Sequence, residues 1–122
     1  MIERYEHSKH KVKIASWLAA RGIHCPEESD FAKFGFVVDD LVAGWIYQTD
    51  GSVARFDDFV SNPFCEQKDK SDAWQLLIIN LEMEARRLGF KYMDACVNHP
   101  SLIKAFSGYP KVGNYERFTK AL

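Results

Sequence analysis

Residues 73–98, AWQLLIINLEMEARRLGFKYMDACVN, decide the fold of this chain. Trp74, Leu77, Ile78, Leu81, Ala85 and Leu88 recur at the three- and four-residue spacing that lines one face of an α-helix. Leu76, Ile79 and Met83 widen that stripe, so the pattern predicts a helix from Ser71 to Leu88 packed deep against a sheet. Gly89 ends it, because glycine takes the left-handed backbone of a helix stop without steric cost. Tyr92–Val97 follows as a short strand. A helix feeding a strand this way closes a crossover, which requires an earlier strand parallel to the second.

Working back along the chain, Val53–Val60 supplies that earlier strand, the last of three strand-like runs. Phe34–Val38 and Leu41–Gln48 flank an acidic turn at Asp39-Asp40, and Asp50-Gly51 is the stronger hairpin signal before Val53. Ahead of them, Ser8–Arg21 has Val12, Ala15, Leu18 and Ala19 on one helical face and Gly22 as a stop. A loop with Pro26, Glu27, Glu28 and Asp30 joins that helix to the strands. Forward of residue 98, Asn98-His99-Pro100 is a turn, Ser101–Phe106 a short helix and Val112–Leu122 a closing strand. The order predicts one α/β domain over residues 1–122, an α+β mixed sheet flanked by helices.

Composition narrows the function classes. Hydrophobic residues make up 47% and charged residues 27% of 122, which suits a folded domain rather than a disordered chain. A net charge of −1 gives no long-range attraction for nucleic acid or anionic membrane. The basic residues of 4–13 are expected to form a solvated helix face. No run reaches membrane-spanning length, and Met1–Lys13 lacks the apolar core of a signal peptide. Cys25, Cys65 and Cys96 are odd in number and far apart, which fits neither a disulfide framework nor a metal knuckle but does fit a reducing cytoplasm.

The runs LVAGWIYQTDGSVARFDDFVSNPF at 41–64, residues 73–98 with their Ala85-x-x-x-Gly89 ending, and LIKAFSGY at 102–109 resemble the GNAT superfamily of acyl-CoA N-acyltransferases. The likeness covers nearly the whole chain and is clearest from Phe34 to Gly108. Ser61-Asn62-Pro63 is similar to a tripeptide of small viral acetyltransferase-like proteins, which implies a phage source. The resemblance implies acetyl-CoA as co-substrate, an amine as acceptor and no metal. It also implies that two strands splay apart, with the pantetheine arm in the gap and the pyrophosphate at the N-terminus of the long helix. Carried onto this chain, Phe59, Val60 and Ser61 offer strand-edge contacts, and Gln67, Lys68, Asp69, Lys70, Ser71 and Asp72 form the phosphate loop. Asn98 is a further candidate for the cofactor, with ordering of its turn as the alternative.

The chain departs from that pattern in two places. The family's phosphate loop is built on glycines that let the anion approach the backbone, yet CEQKDKSDAW at 65–74 has none. Lys68, Lys70 and Ser71 are the residues that would compensate, while Asp69 and Asp72 repel phosphate and Trp74 would crowd it. The tyrosine that serves the family as acid is also replaced, since Ala105 and Phe106 stand there; Tyr109 and Tyr115 are nearby substitutes. A second reading follows from both departures: a GNAT-like binding module without catalysis, acting on a partner protein such as a host factor. The family also implies a homodimer.

For chemistry, Asp57 and Asp58 are the candidate base, because acetyl transfer needs an acceptor for the ammonium proton. Their competing role is one carboxylate in solvent and one paired with Arg55 or a lysine. Cys96 invites a covalent role with His99 but is expected to be a buried apolar filler. His7 and His10 are expected to be surface groups rather than metal ligands. His24-Cys25-Pro26 is expected to line the acceptor side.

Overall fold

Six strands form one sheet in simple chain order in the computed structural model, which describes residues 1–111 and 117–122. They are β1 (Ile2–Arg4), β2 (Phe34–Val38), β3 (Val42–Gln48), β4 (Val53–Ser61), β5 (Tyr92–Cys96) and β6 (Arg117–Ala121). Neighbours pair antiparallel except β4 and β5, which are parallel and joined by the crossover helix α2 (Gln67–Arg87). Helix α1 (His7–Ala19) lies between β1 and β2, a 3-10 turn occupies Glu28–Asp30, and helix α3 (Pro100–Ala105) lies between β5 and β6. The predicted mixed sheet flanked by helices is the observed architecture.

Alternation along the strands divides the core into two layers. Phe36, Val38, Ile46, Phe56, Met93 and Ala95 face α2 and α3, where Leu77, Ile78 and Leu81 complete the larger cluster. Val37, Ala43, Trp45 and Val60 face the other way, onto Ile14 and Trp17 of α1. Burying one such leucine or isoleucine stabilises the fold by about 1.5–3 kcal/mol. Gly35 is opposite Trp45, and a Cβ on it would lie 2.3 Å from the indole ring, so only glycine admits that side chain. Among the described residues, no helix is long and apolar enough to cross a membrane.

Four expectations are corrected. Strand β1 was not foreseen; its three residues carry charge at Glu3 and Arg4 and show no apolar run, yet they pair with Phe36–Val38. Helix α2 begins at Gln67, one turn before the predicted Ser71, so the expected phosphate loop is helical. That first turn is polar and has no side-chain cap, and therefore gave no periodic signal. Leu76, Ile79 and Met83 do not pack on the sheet but are exposed, because a helix lying on one sheet covers a single stripe. His10 is buried rather than on the surface: its Nδ1 accepts the Glu6 N–H at 2.9 Å and its Nε2 meets Glu3 Oε2 at 2.9 Å. The predicted closing strand over 112–122 is observed as Arg117–Ala121, with 112–116 outside the described residues.

Candidate active site: a cleft where two strands part

The parallel ladder between β4 and β5 runs from Val53–Tyr92 to Phe56–Ala95 and stops, although β4 continues to Ser61. A β-bulge marks the parting. Ala43 pairs with Val60 and Trp45 with Asp57, so Asp58 and Phe59 together stand opposite Gly44. Asp58 takes the left-handed conformation, φ +55°, and its N–H donates to Asp57 Oδ1 at 2.8 Å. Gly44 makes the bulge fit: a Cβ there would lie 2.9 Å from the Phe59 ring. The bulge turns β4 away from β5 and leaves 57–60 without a partner in β5.

A 360 Å³ cleft fills the gap, with Phe59, Val60 and Ser61 on one wall and Val97, Asn98 and His99 on the other. Trp74 of α2 also lines it, packed edge-on against Phe59 with ring centroids 6.0 Å apart, and leaves the cleft open. Its indole Nε1 is a buried donor without a hydrogen-bond partner among the described residues. Phe64 is 78% exposed and does not enter the cleft. On one side, a 230 Å³ apolar pocket shares Asp58, Phe59 and Val60 with the cleft. On the other, an outer recess lined by Lys68, Ser71 and Lys104 shares His99. The apolar pocket thus adjoins the cleft through β4 residues, and the outer recess adjoins it through His99.

Asp58 stands where the cleft meets the apolar pocket, and its carboxylate accepts the hydroxyl of Tyr47. Burial pushes the Tyr47 phenol well above its ordinary range, and the bond to Asp58 adds to this, so the hydroxyl stays a donor. Asp57 lines the cleft too, on the side of Arg55 and Arg117. Neither aspartate is ion-paired with Arg55; the hydroxyl and the bulge amide take that place.

Most of the remaining predicted residues border the cleft or the recess. Phe59 is half-buried, Val60 and Ser61 are buried, and Asn98 faces them across the cleft. Lys68 and Ser71 line the outer recess. Lys70 does not: its side chain turns inward, only 6% exposed, near Arg21. Burial pushes its amine below the usual lysine range, and the Arg21 charge pushes it further. Ser61 is not a free edge, since Arg21 Nη1 donates to its carbonyl at 2.6 Å and Nη2 to its hydroxyl at 3.0 Å.

Cys96 is exposed at the end of β5 and lines the cleft; it alternates outward while Met93 and Ala95 point into the core. Tyr109 lies away from the cleft, its hydroxyl donating to Glu82 at 2.6 Å, and Tyr115 is outside the described residues. Sequence reasoning missed Arg21, Tyr47 and the lining role of His99. Arg21 and Ser61 are 40 residues apart, with no local pattern to link them. His99 follows a strand end and precedes a proline, a position that could have flagged it.

No family model matches the chain, and no curated protein matches it in sequence. Solved structures do match in fold. An aminoglycoside 6'-acetyltransferase type Ii superposes with a TM-score of 0.73 at 12% identity, covering 99% of this chain and 96% of its own. A GNAT family acetyltransferase from Brucella melitensis, in complex with acetyl-CoA, gives 0.67 at 10% identity over 100% and 87%. The ribosomal-protein-S18-alanine N-acetyltransferase from Escherichia coli gives 0.59 at 13% identity over 100% and 92%. The chain therefore has the GNAT acyl-CoA N-acyltransferase fold.

Proposed function

We propose that the protein is an acetyl-CoA-dependent N-acetyltransferase that acts on an amine. The observation that carries this reading is the parting of β4 and β5: a strand edge with unmet hydrogen-bonding capacity lines a cleft with cations at its outer end. An acyl-pantetheine arm is extended and rich in amides, so it matches such an edge. Phe59 and Val60 hold it from β4, with Asn98 opposite. Lys68, Ser71 and Lys104 face the phosphates in the outer recess, and Lys70 adds positive potential from beneath.

Bound acetyl-CoA supplies an activated acyl thioester. In the transfer, the neutral amine nitrogen attacks the thioester carbonyl, a C–N bond forms, the C–S bond breaks and the thiolate leaves with CoA. Asp58 takes the ammonium proton, directly or through one water, because it alone of the two aspartates borders both the cleft and the apolar pocket. Tyr47 fixes the orientation of that carboxylate. Much of the rate comes from alignment of donor and acceptor in adjoining spaces.

The second reading, a binding module without catalysis, draws on the helical Gln67–Asp72 segment and on Arg21 covering Ser61. Isothermal titration with acetyl-CoA and with CoA separates the two. Heat at micromolar ligand supports the enzyme; none at millimolar ligand removes it.

A further inference from the structure

The pocket beyond Asp58 has a chemistry of its own. Ile14 and Leu18 of α1 form its floor, Phe31 and Trp45 one wall, and Phe59 and Val60 the side toward the cleft. Phe31 and Trp45 lie with ring centroids 5.2 Å apart, and Tyr5 backs both at 5.4 and 5.1 Å. Burial pushes the Tyr5 phenol up to about 12, so that wall is uncharged across the working pH range. Two titratable side chains line the pocket: Asp58 at the cleft end and His24 on the loop after α1. Its 230 Å³ exceeds the roughly 150 Å³ of an apolar cavity that accepts benzene, which leaves room for a ring and a short chain.

We propose that the acceptor is a small primary amine on an aromatic or branched aliphatic body, with the body against Phe31 and Trp45 and the amine at Asp58. This inference rests on the N-acetyltransferase reading. An amine held there has one carboxylate to meet, and apart from His24 the surface around its body is apolar. A polyamine would bring further ammonium groups against Ile14, Leu18 and Phe31 with no second anion to pair them. An aminoglycoside would bring more hydroxyls than His24 and Asp58 can partner. The pocket therefore selects by penalty as much as by attraction.

The test compares phenylethylamine, spermidine and kanamycin as acceptors by CoA thiol release from acetyl-CoA. In parallel, phenylethylamine binding is followed without donor by NMR of the protein. The expected result is a kcat/KM for phenylethylamine about 100-fold above the other two, the size of effect an unpaired buried charge imposes. Phe31→Ala should raise KM for phenylethylamine about tenfold, with kcat and acetyl-CoA affinity little changed, because the ring lines the acceptor pocket and not the cleft. Preference for spermidine or kanamycin, or a Phe31→Ala variant indistinguishable from the parent, overturns the acceptor assignment and leaves the transferase reading intact. Phe31-dependent binding of phenylethylamine without acetyl-CoA binding supports the pocket and removes the transferase.

Discussion

The two ends of helix α2 treat buried charge in opposite ways. At the C-terminal end, Glu82 receives the Tyr109 hydroxyl at 2.6 Å, Lys120 at 3.0 Å and Arg86 at 3.2 Å. Burial works to raise its carboxyl, but the bonds from Tyr109 and Lys120 outweigh that and hold it below the usual range. Glu84 is held by Arg87 and by Arg4 at 2.8 Å, and its carboxyl falls to about 2. At the N-terminal end Lys70 is equally buried, but among the described residues it has no carboxylate partner, and its charged neighbour is another cation, Arg21. The positive end of the helix dipole adds to the imbalance. Buried charge is paired within the chain at the C-terminal end, whereas at the N-terminal end Lys70 has no such pair among the described residues.

The sharpest way to break that contrast is to remove a carboxylate from the cleft. Asp58→Asn should lower kcat about 100-fold, the usual worth of a general base, with the thermal midpoint held because the residue is exposed. Asp57→Asn should stay within a few-fold. Steady-state thiol release measures both, and an unchanged rate in Asp58→Asn rejects it as the base.

The closed end should respond in stability instead. Glu84→Gln is expected to lose about 1–2 kcal/mol in urea titration, a figure reduced by the solvent screening of Arg4 and Arg87, each more than half exposed. The carboxyl titrates at about 2 in the folded chain against 4.5 ordinarily. Its contribution is therefore complete above pH 4.5 and fades as pH falls from there toward 2. The parent should lose stability over that window more steeply than Glu84→Gln, and donor affinity should be equal in the two.

Lys70→Met tests the open end in the reverse sense. Its amine is held below 10.5, so the unfolded chain keeps that proton more tightly. Stability of the parent should then climb as pH rises through the lowered value toward 10.5, and the climb should vanish in the variant. At neutral pH Lys70→Met should match or exceed the parent in stability, while acetyl-CoA binds about fivefold more weakly and with a shallower salt dependence. A variant that lost stability and kept full donor affinity would show Lys70 to be part of the fold.

The same contrast separates what was legible in the sequence. The body of α2, the β-α-β crossover and the two hairpins follow from apolar spacing and from Gly89 and Asp50-Gly51, which are local signals. Strand β1 is legible only through its partner, because Ile2-Glu3-Arg4 gains its pairing from β2. The adjacent aspartates lie in the stretch of β4 that bulges, and the bulge appears once Gly44 and Phe59 are set face to face. The inward turn of Lys70 and the reach of Arg21 to Ser61 depend on how α1 and α2 sit across the sheet. The resemblance grouped Lys68, Lys70 and Ser71 in one loop, whereas the helix turns Lys70 inward and leaves Lys68 and Ser71 on the recess.

The smallest expected effect concerns the outer face of α2, where Leu76, Ile79 and Met83 stand exposed between Asp72 and the arginines of the last turn. Ile79 is 53% and Met83 59% exposed, and neither belongs to the buried clusters. If the helix is held by its inner stripe and by the ion pairs at its C-terminal end, Ile79→Lys removes almost no buried area. Lysine is also the better helix former. The change should stay within about 0.5 kcal/mol in urea titration and leave thiol release untouched. A loss above about 2 kcal/mol would mean that this face is covered in solution. The stability of α2 would then have a third source beyond the sheet and the carboxylate pairs, and sedimentation of the parent against Ile79→Lys would show whether a second copy provides it.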